Sequence, residues 1–170
     1  MVMCTSVLKH YRKRVPGVKL YLLIKESVGM ASFFKQGFVD EVIVLPYRRY
    51  IIDPWFGVRF LNRLRAIGFK RVINHDFSVA EITGKEIGIL LGAEETVAYD
   101  ASTFALAHPY DTQQTRNLRI VCEKFLPRYT KLIPVISEDI ETRGQIRSHV
   151  EHYIAIFEHI VGAREADYSL

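Results

Sequence analysis

Apolar runs alternate with helical patterns along most of the chain. Four of the runs are near-continuous, which is typical of strands that are covered on both faces. They are VKLYLLI at 18–24, EVIVLP at 41–46, RVIN at 71–74 and TVAYD at 96–100. The helical patterns cover residues 4–15, 27–36, 54–68 and 79–91. This alternation predicts an α/β fold, a Rossmann-like doubly wound parallel sheet with right-handed crossovers.

The pattern at 54–68 has the clearest end signals. Asp53 suits the N-cap, Pro54 suits the first helical position and Gly68 suits the C-terminal cap. The residues predicted to form the buried stripe of this helix are Phe60, Leu61, Leu64 and Ile67. In the same way, Gly92 closes the pattern at 79–91.

The last third of the chain is organised differently. Pro127 and Pro134 interrupt residues 117–140, so we predict irregular or extended structure there. Residues 138–162 form the clearest helical pattern of the chain, and Gly162 ends it.

Length and composition are those of a globular protein of one domain, residues 1–170, with 49% hydrophobic residues. The apolar runs are shorter than the about 20 residues of a membrane span, and no signal-peptide pattern is present. Cys4 and Cys122 lie far apart without metal-type spacing, so we predict reduced, half-buried thiols in a cytoplasmic protein.

Charge divides the chain into two unequal parts. Residues 1–71 hold 14 Lys and Arg against 4 Asp and Glu, a net +10, while residues 72–170 have a net −6. A basic part favours anionic partners such as phosphorylated lipid, nucleotide or nucleic acid, although any one basic residue can simply be solvated. The basic residues are spread over several elements without a stacking motif, so we predict no nucleic-acid binding.

In an open parallel sheet, ligands bind beyond the carboxyl ends of the strands. That rule selects loops containing six candidate acceptor- or anion-binding residues, which are Lys25, Arg48, Arg49, His75, Asp76 and Ser78. Arg48 and Arg49 are the best anion contacts, because guanidinium groups match phosphate and carboxylate. His75 and Asp76 suit a general base or a sugar-hydroxyl contact. The alternative, which we favour, is that Asp76 and Ser78 cap the following helix.

Other candidate chemistry is weak. Nucleotide-binding and hydrolase motifs are absent, so no cofactor is predicted. The histidines of the last helix have no cluster of further ligands beside them, so no metal site is predicted. Trp55 and Phe56 at a helix start suit a stacking platform or a membrane-edge anchor, but we favour packing of Trp55 in the core.

The order of the segments resembles a known family. The pieces TSVLKHYRKRVPGVKLYLLI, VDEVIVLP, FLNRLRAIGFKRVINHDFS and LLGAEETVAYD are similar to the amino-terminal half of the ADP-heptose:lipopolysaccharide heptosyltransferases, glycosyltransferase family 9. Leu64-Arg65 and Gly92-Ala93 match two of the family's segments, although Lys70 stands where the family has an aspartate. HVEHYIAIFEHIVGA, at 149–163, resembles the helix that leads to the family's second domain.

The resemblance implies a function and two missing parts. The chain would be the acceptor-side half of a two-domain GT-B enzyme, binding a phosphorylated or lipid-linked saccharide at the inner face of the membrane. The family's catalytic base is an aspartate in a Gly-Asp turn that would stand just before Met1, so no catalytic residue is predicted in this chain. Nucleotide-sugar binding would need the second domain, so we expect no glycosyl transfer by this chain alone.

A missing first strand would also leave sheet edges unpaired. We expect direct pairing of the flanking strands, replacement by another segment (119–125 is the best candidate), or association with a neighbouring chain. Of these we favour a homo-oligomer formed through an exposed sheet edge. The alternative to the glycosyltransferase is a non-enzymatic Rossmann-like module that binds a nucleotide or an acidic partner.

Overall fold

A computed structural model describes residues 8, 11–26, 37, 39–74, 82–100 and 113–134 of the chain. Described residues up to Phe60 belong to one compact unit, and those from Leu61 onward belong to a second. The prediction of one domain over residues 1–170 stays a prediction. The predicted helices at 27–36 and 138–162 lie outside the described residues.

The first unit contains a two-stranded parallel sheet. Strand β1 spans Tyr21–Lys25 and strand β2 spans Glu41–Leu45, with Tyr21 opposite Glu41 and Lys25 opposite Leu45. Residues 11–14 are helical, and Gly17, with a φ of 84°, lies in the turn that follows this segment. The strands at 18–24 and 41–46 are therefore confirmed within a few residues.

An ion pair ties the turn before β1 to the start of β2. Arg12 donates to both carboxylate oxygens of Asp40 over 2.7 and 2.6 Å, and to the carbonyl oxygen of Val18 over 2.8 Å. The backbone N–H of Leu20 donates to the same carboxylate over 2.6 Å. These contacts lower the pKa of Asp40 to about 2, chiefly through the Arg12 hydrogen bond and then through that of Leu20.

Two helices follow β2 directly. Helix α1 spans Tyr47–Ile52 and helix α2 spans Pro54–Arg65, so the predicted loop after β2 is helical instead. Asp53 serves both helices, because its N–H donates to Arg49 over 2.9 Å and its carboxylate accepts from the N–H of Phe56 over 2.9 Å. The predicted N-cap is therefore confirmed, and Gly68 with a φ of 72° confirms the predicted end.

The buried stripe of α2 differs from the prediction at one position. Leu61 and Leu64 are buried and Phe60 is half-buried. Ile67 is exposed, because the helix ends at Arg65 and Ile67 belongs to the turn that follows.

The second unit contains a three-stranded parallel sheet in the order β3-β4-β5. The strands span Arg71–Ile73, Glu95–Asp100 and Lys131–Pro134, and helix α3 at Ile82–Leu90 lies between β3 and β4 in the chain. Thr96 and Thr130 join the starts of β4 and β5 with three hydrogen bonds. Each threonine N–H donates to the other hydroxyl, over 2.8 and 3.0 Å, and the Thr130 hydroxyl donates to the Thr96 carbonyl over 3.0 Å.

The segment before β5 is the main correction to the sequence prediction. Helix α4 spans Gln113–Ile120 and continues as a π-helical turn at Val121–Phe125 and a 3-10 turn at Leu126–Arg128. Residues 119–125 are therefore helical and do not form the replacement strand. Pro127 ends the helical segment rather than preventing it, since a proline is tolerated in the first turn of a helix.

The core of the second unit surrounds Tyr129. Ala98, Val121 and Leu126 pack with it, and Val121 and Val97 are wholly buried. The Tyr129 hydroxyl donates to the Lys85 carbonyl over 2.9 Å and accepts from the Asn74 amide over 3.3 Å. Burial raises the pKa of this hydroxyl to about 12, although the hydrogen bond from Asn74 opposes the shift, so it stays a donor at neutral pH. The parallel strands and intervening helices confirm the α/β, Rossmann-like fold class.

Candidate anion-binding site

Lys25 lies at the carboxyl end of β1, where the prediction places it. Its register partner is Leu45, and the N–H of Glu26 donates to the Leu45 carbonyl over 2.9 Å, so the pairing extends to this edge. The Lys25 ammonium lies 4.3 Å from the centre of the Tyr47 ring. This cation–π contact holds the charge beside the first residue of α1.

Arg48 and Arg49 lie in the first turn of α1, directly beyond β2, and both are exposed. The Arg49 guanidinium lies 4.5 Å from the centre of the Phe56 ring and 3.7 Å from the Asp53 carboxylate. Within the described part of the chain, Arg48 forms no hydrogen bond or ion pair. Arg49 is therefore oriented by its neighbours, while the guanidinium of Arg48 is available to a ligand.

The parallel register thus brings three predicted site residues to one edge of one sheet. Lys25, Arg48 and Arg49 follow the carboxyl ends of two paired strands. Lysine supplies a compact point charge and arginine a planar fork that binds phosphate or carboxylate oxygens in pairs. The arrangement is suited to holding an anionic group of a ligand.

The other three predicted site residues, His75, Asp76 and Ser78, lie outside the described residues. Asn74, which precedes them, is buried, and its N–H donates to the Val97 carbonyl over 2.8 Å. The described geometry therefore supports the candidate site at β1 and β2 alone.

Two polar groups of the second unit were not selected by sequence reasoning. Lys85 is only 2% exposed, an unusual position for a lysine, and it shares a helical face with Ile82 and Ile89. The spacing of Lys85 between Ile82 and Ile89, in one apolar stripe of the helical pattern, is the sequence signal that could have identified its burial.

Cys122 is a free, half-buried thiol as predicted, and its pKa is raised by burial and by the Asp100 and Glu123 carboxylates. A raised pKa keeps this thiol protonated and unreactive. Cys4 lies outside the described residues.

A cavity of about 310 Å³ lies at the opposite end of the first unit's sheet. Its lining consists of Arg12, Pro16, Gly17, Val18, Lys19 and Asp40. The Arg12–Asp40 ion pair lines this cavity, which lies at the other end of the strands from Lys25 and Arg48.

Two absences bear on the site. Within residues 11–26, 39–74, 82–100 and 113–134, no group of three or more His, Cys, Asp or Glu side chains is placed to hold a metal ion. Among the helices of those same ranges, none has the length and apolar character needed to cross a bilayer.

Trp55 does not pack in the core as favoured from the sequence. It is 77% exposed, whereas its neighbour Phe56 is half-buried and stacks on Phe60 at 5.8 Å between ring centres. Sequence spacing did not distinguish the two adjacent aromatics, because both flanks of α2 carry apolar residues.

In comparisons with known proteins, neither a family model, nor a curated protein, nor a solved structure matches the chain.

Proposed function

We propose that this chain is the acceptor-side domain of a heptosyltransferase-like glycosyltransferase and binds a phosphorylated or lipid-linked saccharide. The sugar chemistry comes from the resemblance of four segments, TSVLKHYRKRVPGVKLYLLI, VDEVIVLP, FLNRLRAIGFKRVINHDFS and LLGAEETVAYD. The structure supports the proposal through fold class and through the placement of charge.

The observation that carries the proposal is the cationic edge of the first unit's sheet. Lys25 and Arg48 follow the ends of adjacent parallel strands, and Arg49 is held beside them by Phe56 and Asp53. Ligands of open parallel sheets bind at this end of the strands. A phosphate group on the saccharide would accept hydrogen bonds from the Arg48 guanidinium and lie near the Lys25 ammonium.

Strand pairing supplies a second support. In each unit the strands pair in parallel, β1 with β2 in the first unit and β3-β4-β5 in the second. Parallel pairing with intervening helices is what a Rossmann-like domain requires.

Titration with a deacylated, phosphorylated lipopolysaccharide core oligosaccharide tests the proposal. We expect saturable binding by calorimetry, and a loss of about tenfold in affinity for Lys25→Gln or Arg48→Gln, because each removes a charge-assisted contact. Lys13→Gln is the matched control, since Lys13 is exposed in the same unit and lies outside the candidate site. The dephosphorylated oligosaccharide should bind more weakly than the phosphorylated one.

Two outcomes contradict the proposal. One is equal affinity of Lys25→Gln, Arg48→Gln and the unchanged chain for the phosphorylated oligosaccharide. The other is binding of ADP without binding of the oligosaccharide, which favours the non-enzymatic nucleotide-binding module instead.

A further inference from the structure

Helices α1 and α2 expose a group of large apolar side chains beside the helix junction. Ile51 is 56% exposed, Ile52 76%, Trp55 77% and Val58 52%. Ile51 and Ile52 are the last two residues of α1. Trp55 and Val58 are three residues apart in the first turns of α2, so these two side chains lie on one face of that helix. We call these four residues the interfacial patch.

Packing among the described residues of the first unit does not account for the interfacial patch. The opposite side of α2 already supplies the internal contacts, since Phe60 packs edge-on against Tyr50 at 6.2 Å and stacks with Phe56. Gly57 is buried against Tyr50, where an added Cβ would lie 3.5 Å from the Tyr50 carbonyl oxygen. Four large apolar side chains left exposed within eight residues of chain mark a contact surface.

Positive charge surrounds the interfacial patch. Arg48 lies three and four residues before Ile51 and Ile52, and Arg59 lies four residues after Trp55, so each helix places an exposed arginine beside the patch. Residues 47–65 hold five arginines and one carboxylate, a net +4 that equals the net charge of the whole chain. The one carboxylate, Asp53, caps α2 and pairs with Arg49.

We propose that the interfacial patch, with Arg48 and Arg59, docks the protein on the surface of a bilayer rich in anionic lipid. Isoleucine and valine side chains enter the outer acyl region, tryptophan prefers the boundary between acyl chains and headgroups, and the arginines meet lipid phosphates. A second copy is a poor occupant, because a two-fold contact brings together two copies of residues 47–65, each with a net charge of +4. The bilayer supplies both the apolar surface and the opposite charge.

This inference goes beyond the proposed function, because it needs no saccharide and uses side chains outside the candidate anion site, apart from Arg48. Arg59 is therefore the charge to test. Trp55 is the one tryptophan of the chain, so intrinsic fluorescence reports on the interfacial patch directly.

The experiment adds vesicles to the 170-residue chain and records Trp55 emission. With mixed phosphatidylglycerol and phosphatidylcholine, we expect a blue shift, protection from acrylamide and quenching by shallow brominated lipid. With phosphatidylcholine alone, the change should be much smaller, and added salt should weaken the binding. Arg59→Gln should bind about fivefold more weakly, and Ile52→Ser about tenfold more weakly.

Val18→Ser and Arg128→Gln are the matched controls, since both residues are exposed and lie outside the interfacial patch; they should bind as the unchanged chain does. Circular dichroism checks that each variant is folded. The inference is wrong if Trp55 emission does not respond to anionic vesicles, or if Ile52→Ser binds them unchanged. It is also overturned if light scattering shows a dimer that Ile52→Ser dissociates, because a second copy then covers the patch.

Discussion

The two compact units use their apolar residues in opposite ways. In the second unit, four successive residues of β4 are buried, and Val97, Val121 and Ile87 are almost wholly enclosed. In the first unit, β1 has no fully buried residue, β2 has one, Leu45, and the helices that follow expose Ile52 and Trp55.

The difference separates two uses of hydrophobic side chains. Enclosed side chains stabilise the fold, because they lose water-accessible area on folding. Side chains that stay exposed after folding keep their water-accessible apolar area, so burying that area in a later contact can still stabilise the contact. The second unit is therefore expected to control stability, and the first unit to supply the contacts with lipid and with anions.

The sharpest test of this contrast compares two isoleucines. Ile87 is 1% exposed in the second unit and Ile52 is 76% exposed in the first. Ile87→Ala should lower the free energy of unfolding by about 2–5 kcal/mol, because it leaves a cavity. Ile52→Ala should change it by less than about 0.5 kcal/mol. Urea unfolding followed by circular dichroism measures both, and similar losses for the two would remove the contrast.

A second test concerns the close contact inside the second unit. A Cβ at Gly88 would lie 2.7 Å from the Tyr129 hydroxyl oxygen, and the next Tyr129 atom, Cζ, would be 3.6 Å away. Gly88→Ala should therefore destabilise the fold by about 1–3 kcal/mol. Tyr129→Phe should cost about 1–3 kcal/mol, because it removes the two buried hydrogen bonds that the hydroxyl makes with the Asn74 amide and the Lys85 carbonyl.

The double variant sharpens the second test. With Phe at 129 the hydroxyl is gone, so adding Gly88→Ala should cost nothing and can gain up to about 1 kcal/mol of helix propensity. A double-mutant cycle by urea unfolding gives the coupling. Additive losses would mean that the Tyr129 hydroxyl is not what limits space at Gly88.

The smallest expected effect lies in the first unit, at Asp40. Its folded pKa of about 2 is below the ordinary 3.8, so its contribution to stability is present above 3.8 and is lost as the pH falls towards 2. Asp40→Asn should therefore be less stable than the unchanged chain at neutral pH. The difference should shrink as the pH falls below 3.8 and vanish only below pH 2, where Asp40 is protonated in the folded chain as well. Carboxyl NMR titration measures the pKa directly.

Glu94→Gln provides the control for Asp40, since Glu94 lies in an exposed turn of the second unit. Its stability should follow the unchanged chain at every pH. A titration of Asp40 near 3.8 in the folded protein would show that the Arg12 pair is not maintained in solution.

Local sequence signals predicted the parts of the fold that depend on neighbouring residues. The strands at 41–46 and 96–100 appear as Glu41–Leu45 and Glu95–Asp100, because short runs rich in β-branched and aromatic residues favour strands over helices. Asp53 and Gly68 bound α2 as predicted, since capping is a property of the residue and its immediate chain.

Features that depend on contacts between separate elements of the fold could not be predicted from the local sequence. Strand β5 is four residues long, contains Pro134, and is stabilised by pairing with β4 rather than by its own pattern. Trp55 and Phe56 differ in exposure because α2 turns Phe56 towards Phe60, which in turn contacts Tyr50. The residue types alone do not determine which of the two aromatic side chains faces inward. The placement of Lys25 beside Tyr47 likewise required the β1-β2 register.

The hydroxyls of Thr96 and Thr130 carry a consequence for how the chain folds. These residues are 34 positions apart, so bringing them together closes a long loop and costs conformational entropy. Their reciprocal bonds form only when β5 lies in its native register, with Val97 opposite Lys131. A slip by one residue would break these bonds and turn the buried Ile133 to the other face of the sheet. The threonine pair therefore favours the native register of β5, because a strand shifted by one residue loses these hydrogen bonds and the burial of Ile133.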